Sequence, residues 1–294
     1  MRKQLVNSVE KVLGNDIDAI LLLGDIGVFG FRNAFINYPN RVFNIGILEQ
    51  ATISVAAGLA KSGLTPIVHT IAPFLVERCF EQLKIDFGYQ QLGGNFISVG
   101  NSYDYASLGC THHCPADVGL LKSIPNFEII VPGTAAEFDT LFNQTYSNNN
   151  PTYFRLSEQQ NNLNFEVVFG KANIIKIGTQ ATIIAVGTAL QSLYDAVKHM
   201  DVTILYYSTT APFDSESLIN NIVPSRKVIL CEPYYEGALD YDIIKSMNCK
   251  PFSLLHIGVP HKFMTNYGKM EEHNSENGLT VNSIYEKIKH FINE

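Results

Sequence analysis

Charged side chains are scarce in this sequence. They make up 17% of the 294 residues, against roughly 25% in an average soluble domain, and so thin a charge suggests a surface partly covered by a partner. Twenty-one lysines and arginines against 28 aspartates and glutamates leave a formal charge of −7. No basic stripe interrupts that acidity, which argues against nucleic acid, whose binders neutralise phosphates with clustered cations. Long apolar runs are missing too. A stretch such as Ala19–Leu23 falls far short of the roughly 20 residues that span a bilayer. Behind the basic start Met1-Arg2-Lys3, the residues Gln4, Asn7, Glu10 and Lys11 interrupt any signal-peptide core. Cysteine is sparse and odd in number: Cys79, Cys110, Cys114, Cys231 and Cys249 show no paired spacing. A disulfide framework is therefore not expected, and reduced thiols in a cytoplasm are the simpler reading.

What is present is apolar and rhythmic. Hydrophobic residues reach 46%, enough to offset the ordering entropy that keeps polar chains unfolded, and the length suggests about two domains. Short β-branched runs are expected as strands at 19–23, 42–45, 66–70, 95–99, 128–131 and 152–156, with helices at 3–13, 48–61, 74–87, 117–123 and 135–146 between them. Strands with so few polar interruptions are buried on both faces, the mark of a parallel sheet under helices. After the aperiodic polar stretch Ser157–Asn164, a plausible linker, a second alternation begins. Its strands are expected near 181–186, 202–207, 228–231 and 252–257, its helices near 190–199, 215–222, 241–247 and 281–292. The fold class is thus α/β: two three-layer domains with largely parallel sheets, about 1–160 and 165–294.

Three stretches carry candidate chemistry. In Asn44-Ile45-Gly46-Ile47-Leu48-Glu49-Gln50 a strand runs into a helix, which puts Glu49 in the first helical turn, where open α/β sheets place their ligand crevices; a carboxylate there also complements the helix dipole without further function. Thr70 to Gln82 opens at the end of the next strand, so Phe74 can reach the same crevice. An aromatic face beside a carboxylate suits a flat heteroaromatic ligand, while a core position is the plainer reading of a phenylalanine. The third stretch, Leu108 to Pro115, contains Cys110, Thr111, His112, His113 and Cys114. These include the ligand types of zinc sites, although the spacing fits no standard zinc pattern. The alternatives are imidazoles that donate hydrogen bonds or carry protons to a substrate oxygen, or an ordinary polar loop.

Together these stretches resemble the transketolase family of thiamine-diphosphate enzymes, through its pyrimidine-binding domain and its carboxy-terminal domain. The resemblance runs from Gly24-Asp25-Ile26-Gly27 through Arg41–Gln50, Ala57–Ala60, Pro66–Val68, Gly109–His113, Ser123–Asn126 and Val131–Gly133. It continues with Gly170–Ala172, Ile184–Thr188, Ala211–Asp214 and Glu232-Pro233. It implies that Glu49 hydrogen-bonds the aminopyrimidine ring nitrogen of thiamine diphosphate, a task for a carboxyl group whose pKa burial has raised. It also implies that Phe74 stacks on the pyrimidine, with Leu75 as the alternative because the chain carries one extra residue before Arg78 and Gln82. Asp25, Ile47 and Arg78 would complete the cofactor pocket. His112 would face the substrate, with His113 as an added neighbour.

Two departures from the family matter. The diphosphate-binding domain, whose Gly-Asp-Gly and later Asn hold magnesium, is missing, so the resemblance implies a second, diphosphate-binding subunit that supplies the magnesium site, in an α2β2 assembly. Where the family carries an arginine after the last strand of this sheet, Leu156-Ser157-Glu158 offers Glu158, with Arg155 as partial compensation. A carboxylate repels a phosphate that arginine would clamp, so the expected acceptor is a nucleotide-linked or unphosphorylated keto-sugar. The function implied is transfer of a two-carbon ketol unit by a split transketolase. The alternatives are the beta subunit of a 2-oxoacid dehydrogenase, which shares the architecture, and a non-catalytic partner of a related enzyme.

Overall fold

Strands that are apolar on both sides need helices above and below them, and the chain arranges them so. The computed structural model describes residues 1–294. Its strands are β1 (Ala19–Leu23), β2 (Val42–Asn44), β3 (Thr65–Ile71), β4 (Gly94–Val99), β5 (Glu128–Ile130), β6 (Pro151–Arg155), β7 (Asn173–Lys176), β8 (Thr182–Val186), β9 (Thr203–Tyr207), β10 (Thr209–Ala211), β11 (Lys227–Tyr235) and β12 (Ser253–Val259). They form two sheets, with orders β10-β5-β6-β4-β3-β1-β2 and β12-β11-β8-β9-β7. All neighbours run parallel except β10 against β5 and β7 against β9, so the α/β class with largely parallel sheets is as expected.

Strand periodicity divides the interior. Leu21 and Leu23 of β1 belong to one core, with Leu5 and Val9 of helix Arg2–Asn15 and Phe138 and Leu141 of helix Ala135–Thr145. Ile20 and Leu22 point the other way, to Ile53 and Ala56 of helix Glu49–Lys61. Each core continues into the second sheet: the first takes in Ile183 and Ile204, the second Ile184 and Leu205.

The structure departs from the expected elements in places that bear on the site. The single helix expected over 74–87 is broken: Ala72–Leu75 is one short turn, Phe80–Gln82 another, and Leu83–Tyr89 winds as a π-helix. Arg78 N bonds the Pro73 carbonyl five residues back at 3.1 Å. Such wide winding absorbs an extra residue and recurs at functional sites. Strand β10 lies beyond the polar stretch 157–164 yet pairs with the first sheet, so the two sheets interlock rather than dividing cleanly along the sequence.

A second link between the sheets is polar. Glu137 is buried in the first turn of helix Ala135–Thr145, and its Oε2 accepts from Gly133 N at 2.7 Å and from the hydroxyl of Tyr206 on β9 at 2.5 Å. Removing that hydroxyl leaves a buried carboxyl group short of a donor. Tyr206→Phe is therefore expected to lower stability by about 1–3 kcal/mol, read as an earlier urea midpoint with unchanged slope.

Candidate active site at the carboxyl ends of the first sheet

Parallel strands deliver their outgoing loops to one edge, and three of these loops meet beside β1, β2 and β3. Asn44, the last residue of β2, ties two of them together. Its Oδ1 accepts from Asp25 N at 2.9 Å and Gly46 N at 3.1 Å, and its Nδ2 donates to Asp25 Oδ1 at 2.8 Å. Asp25 and Gly46 both adopt left-handed backbone, with φ of 67° and 83°. A conformation of that kind suits glycine and tolerates aspartate, and at Gly46 it turns the chain into helix Glu49–Lys61. Glu49 is the first residue of that helix and only 6% exposed.

From Glu49 a row of contacts leads across the crevice. Its Oε1 accepts from Arg78 Nη1 at 2.9 Å, and its Oε2 makes no hydrogen bond within the chain. The Arg78 guanidinium lies over the Phe74 ring, 3.9 Å from its centroid. Phe74 in turn meets the His112 ring edge-on, with centroids 5.3 Å apart at 67°. Four of the residues singled out in the sequence are thus contiguous, although they come from three separate loops. Leu75, the alternative to Phe74, is turned inward into the core and lines a small cavity beside Glu49. The half-buried Phe74 is the ring that faces the crevice.

Other candidates lie elsewhere. His113 is next to His112 but points the opposite way: it is 5% exposed and packs edge-on against the buried His273 at 5.5 Å. Neither ring nitrogen of His113 has a hydrogen-bond partner; the Ala106 carbonyl is near but outside bonding geometry. Burial, then the neighbouring His273, hold its pKa below the usual imidazole value. The expectation that His113 faces substrate is corrected accordingly, because successive residues of a tight turn diverge. Ile47 stands 66% exposed beside Leu48 at 60%, rather than enclosed with Glu49. Asp25 is exposed and engaged with Asn44. Arg155 is 2% exposed and bound to Asp117 at 2.8 Å, so it cannot compensate for Glu158 at the surface. The Cys110–Cys114 stretch assembles no metal cluster. His112 bonds Thr111 Oγ1, Cys114 donates to Glu77 at 3.6 Å, and no three potential ligands converge.

Two further residues at the crevice went unmarked in the sequence. His69 and Thr70, at the end of β3, line the same small cavity as Glu49. His69 Nδ1 lies 2.8 Å from the Ile97 carbonyl; a carbonyl only accepts, so Nδ1 carries the proton and Nε2 is left as an acceptor. Burial drives the His69 pKa down to about 4, against the pull of that hydrogen bond. The one available signal is a lone imidazole directly after the apolar run Pro66–Val68. Thr70 Oγ1 is buried without a partner. On the crevice side, a free carboxylate oxygen beside an aromatic face suits a flat, nitrogen-bearing ring. Arg78 fills that place within the chain: its planar guanidinium stacks on Phe74 and donates to Glu49. Its side chain is 45% exposed and so free to yield.

Known proteins similar to this chain point to one family. Residues 6–163 match the family model of the transketolase pyrimidine binding domain. An uncharacterized 33.6 kDa protein in the fasciation locus of Rhodococcoides fascians is 37% identical, with 95% of this chain and 91% of that one covered. An apulose-4-phosphate transketolase subunit from Phocaeicola vulgatus is 27% identical, covering 99% and 97%. Among solved structures, a split gene transketolase described as an inactive beta4 tetramer superposes with a TM-score of 0.83 at 22% identity, over 99% of this chain and 97% of that one, which shows a shared fold.

The buried imidazole of His69 has a consequence for acid stability. Its folded pKa of about 4 lies below the ordinary 6.5, so the unfolded chain binds the proton first and stability falls as pH drops from 6.5 towards 4. The loss expected from this group is about 3 kcal/mol. Urea midpoints measured at pH 7 and pH 4 should show it, and His69→Gln should flatten the slope.

Proposed function

The chain belongs to the transketolase pyrimidine-binding domain family, and on that premise we propose that it is the pyrimidine-binding subunit of a split, thiamine-diphosphate-dependent transketolase. In this reading it transfers a two-carbon ketol unit to a sugar-type aldehyde or ketone acceptor once a second, diphosphate-binding subunit has joined it. The observation that carries the reading is the row Glu49–Arg78–Phe74–His112. Relatives named as transketolase subunits, matched along nearly their whole length, support the split arrangement.

The residues of this chain then take the following parts. Glu49 holds the pyrimidine ring nitrogen by a hydrogen bond, Phe74 covers the ring, and Arg78 withdraws from the position it now fills between them. Bound thiamine diphosphate supplies the electron sink for breaking and making the carbon–carbon bond. His112, at the open end of the row, donates to or takes a proton from a substrate oxygen. Magnesium prefers octahedral oxygen ligands together with phosphates, and no group of three acidic or imidazole side chains converges in this chain. In this reading the partner supplies its site. The strongly exposed Phe29 at 81%, Ile47 at 66% and Leu48 at 60% support a partner seated over the crevice, since apolar surface of that kind marks interaction sites. An α2β2 assembly in the cytoplasm, with the five free thiols kept reduced, completes the proposal.

In this reading Glu158 lies on the acceptor side. Glu158 is exposed, with its backbone N–H bound to Asp104 at 3.0 Å, and the only nearby cation on β6, Arg155, is buried against Asp117. A keto-sugar that is unphosphorylated or nucleotide-linked, used in carbohydrate biosynthesis, fits such a mouth better than a sugar phosphate.

Native mass spectrometry of the protein drawn from its source lysate, with thiamine diphosphate and magnesium present, tests the assembly. A bare homodimer that never acquires a second chain or cofactor would overturn it. In the assembled enzyme Glu49→Gln is expected to lower kcat by at least about 100-fold with the urea midpoint little changed. Retained turnover would sink the cofactor assignment. Glu158→Arg is expected to raise kcat/KM for phosphorylated acceptors relative to neutral ones, by an amount that shrinks as salt is added.

A further inference from the structure

His112 sits on a loop with little regular structure of its own: residues 103–113 form only two short 3-10 turns, 106–108 and 110–112. What holds it is at its base. Ser102 and Cys114 form an isolated antiparallel bridge, with Cys114 N donating to the Ser102 carbonyl at 2.7 Å and Ser102 N to the Cys114 carbonyl at 3.3 Å. The Ser102 hydroxyl accepts from Arg155 Nη2 at 2.7 Å and donates to the Pro233 carbonyl. On the other side of the loop Asp117 opens helix Asp117–Lys122, and its Oδ2 accepts from Arg155 Nε at 2.8 Å and from the Tyr153 hydroxyl at 2.8 Å. One guanidinium on β6 thus grips both ends of the segment that carries His112.

We propose that Arg155 is a positioning residue for His112, acting through Ser102 and Asp117 to hold the loop so that the His112 ring meets Phe74. Three observations support the assignment beyond the bonds themselves. Arg155 and Asp117 are 2% and 0% exposed, and a buried pair costs desolvation that simple packing of apolar residues would avoid. The geometry needs the fork of arginine: Nε and Nη2 go to different partners, which the single ammonium of lysine does not reproduce. Ser102 has φ of 50°, a left-handed conformation that glycine adopts without strain. A serine held there points to a need for the hydroxyl rather than the turn.

The functional weight of this clamp rests on the reading of His112 as the substrate-facing imidazole, but its geometry is testable without substrate or cofactor. In the full-length chain with labelled histidine and phenylalanine rings, His112→Gln identifies the His112 signal, and the wild type should show an NOE between the rings of His112 and Phe74. Ser102→Gly removes the hydroxyl while relieving the backbone, and should weaken that NOE several-fold with the circular dichroism unchanged. Arg155→Lys should do the same. Tyr153→Phe removes a different bond to Asp117 and leaves the Arg155–Ser102 link intact, so the NOE should persist. A wild-type NOE in Ser102→Gly, or an equal loss in Tyr153→Phe, would overturn the proposal. If the clamp behaves as expected while His112→Gln retains full turnover in the assembled enzyme, the role of His112 fails and the clamp stands.

Discussion

Everything at the site follows from the way a parallel sheet must be covered. With helices on both faces, each strand has to return by a crossover, and the loops leaving β1, β2 and β3 all emerge at the same edge. Residues far apart in sequence, Asp25, Glu49 and Phe74, are brought to one rim by that constraint alone. The local devices are modest. The side-chain amide of Asn44 staples two loops, a left-handed glycine starts a helix at Glu49, and a π-type turn sets Phe74 and Arg78 one above the other.

The interior between the site and the second sheet is unusually polar for so apolar a chain. Arg155 and Asp117, Glu137 and Tyr206, and the hydroxyls of Ser98 and Tyr153 are all buried and bonded. Apolar residues of similar volume pack such spaces at less cost in desolvation, so polar groups retained there serve placement more readily than stability. That logic fits the segment they hold, which has few contacts of a regular element to fix its course. It also explains why Arg155, at the end of β6, does not reach the crevice.

Arg78 is informative because its chemistry matches what the pocket would hold. It is flat and π-delocalised, it donates N–H to a carboxylate, and it stacks on an aromatic face. Its side chain is nearly half exposed, while the carboxylate it binds is buried. Phe29, Ile47 and Leu48, in the loops after β1 and β2, are strongly exposed.

The sequence by itself determined the α/β class, most strands and the approach of Glu49 and Phe74. β1 spans 19–23 as read, and β4 and β8 begin within a residue of expectation. Those features are written in short-range patterns: apolar runs buried on both faces, and a carboxylate where a strand becomes a helix. Tertiary structure alone decided the rest. The break after Leu75 comes from an i→i−5 turn that no periodicity announces. His112 and His113 are indistinguishable as a pair of letters, yet one faces Phe74 and the other His273. Arg155 reads as a surface cation until Asp117 and Ser102, remote in sequence, close around it. Strand β10 leaves its neighbours to pair with β5. Apart from the local break after Leu75, each of these depends on contacts between residues distant along the chain, and the direction of a side chain in a loop is set by those contacts rather than by local propensity.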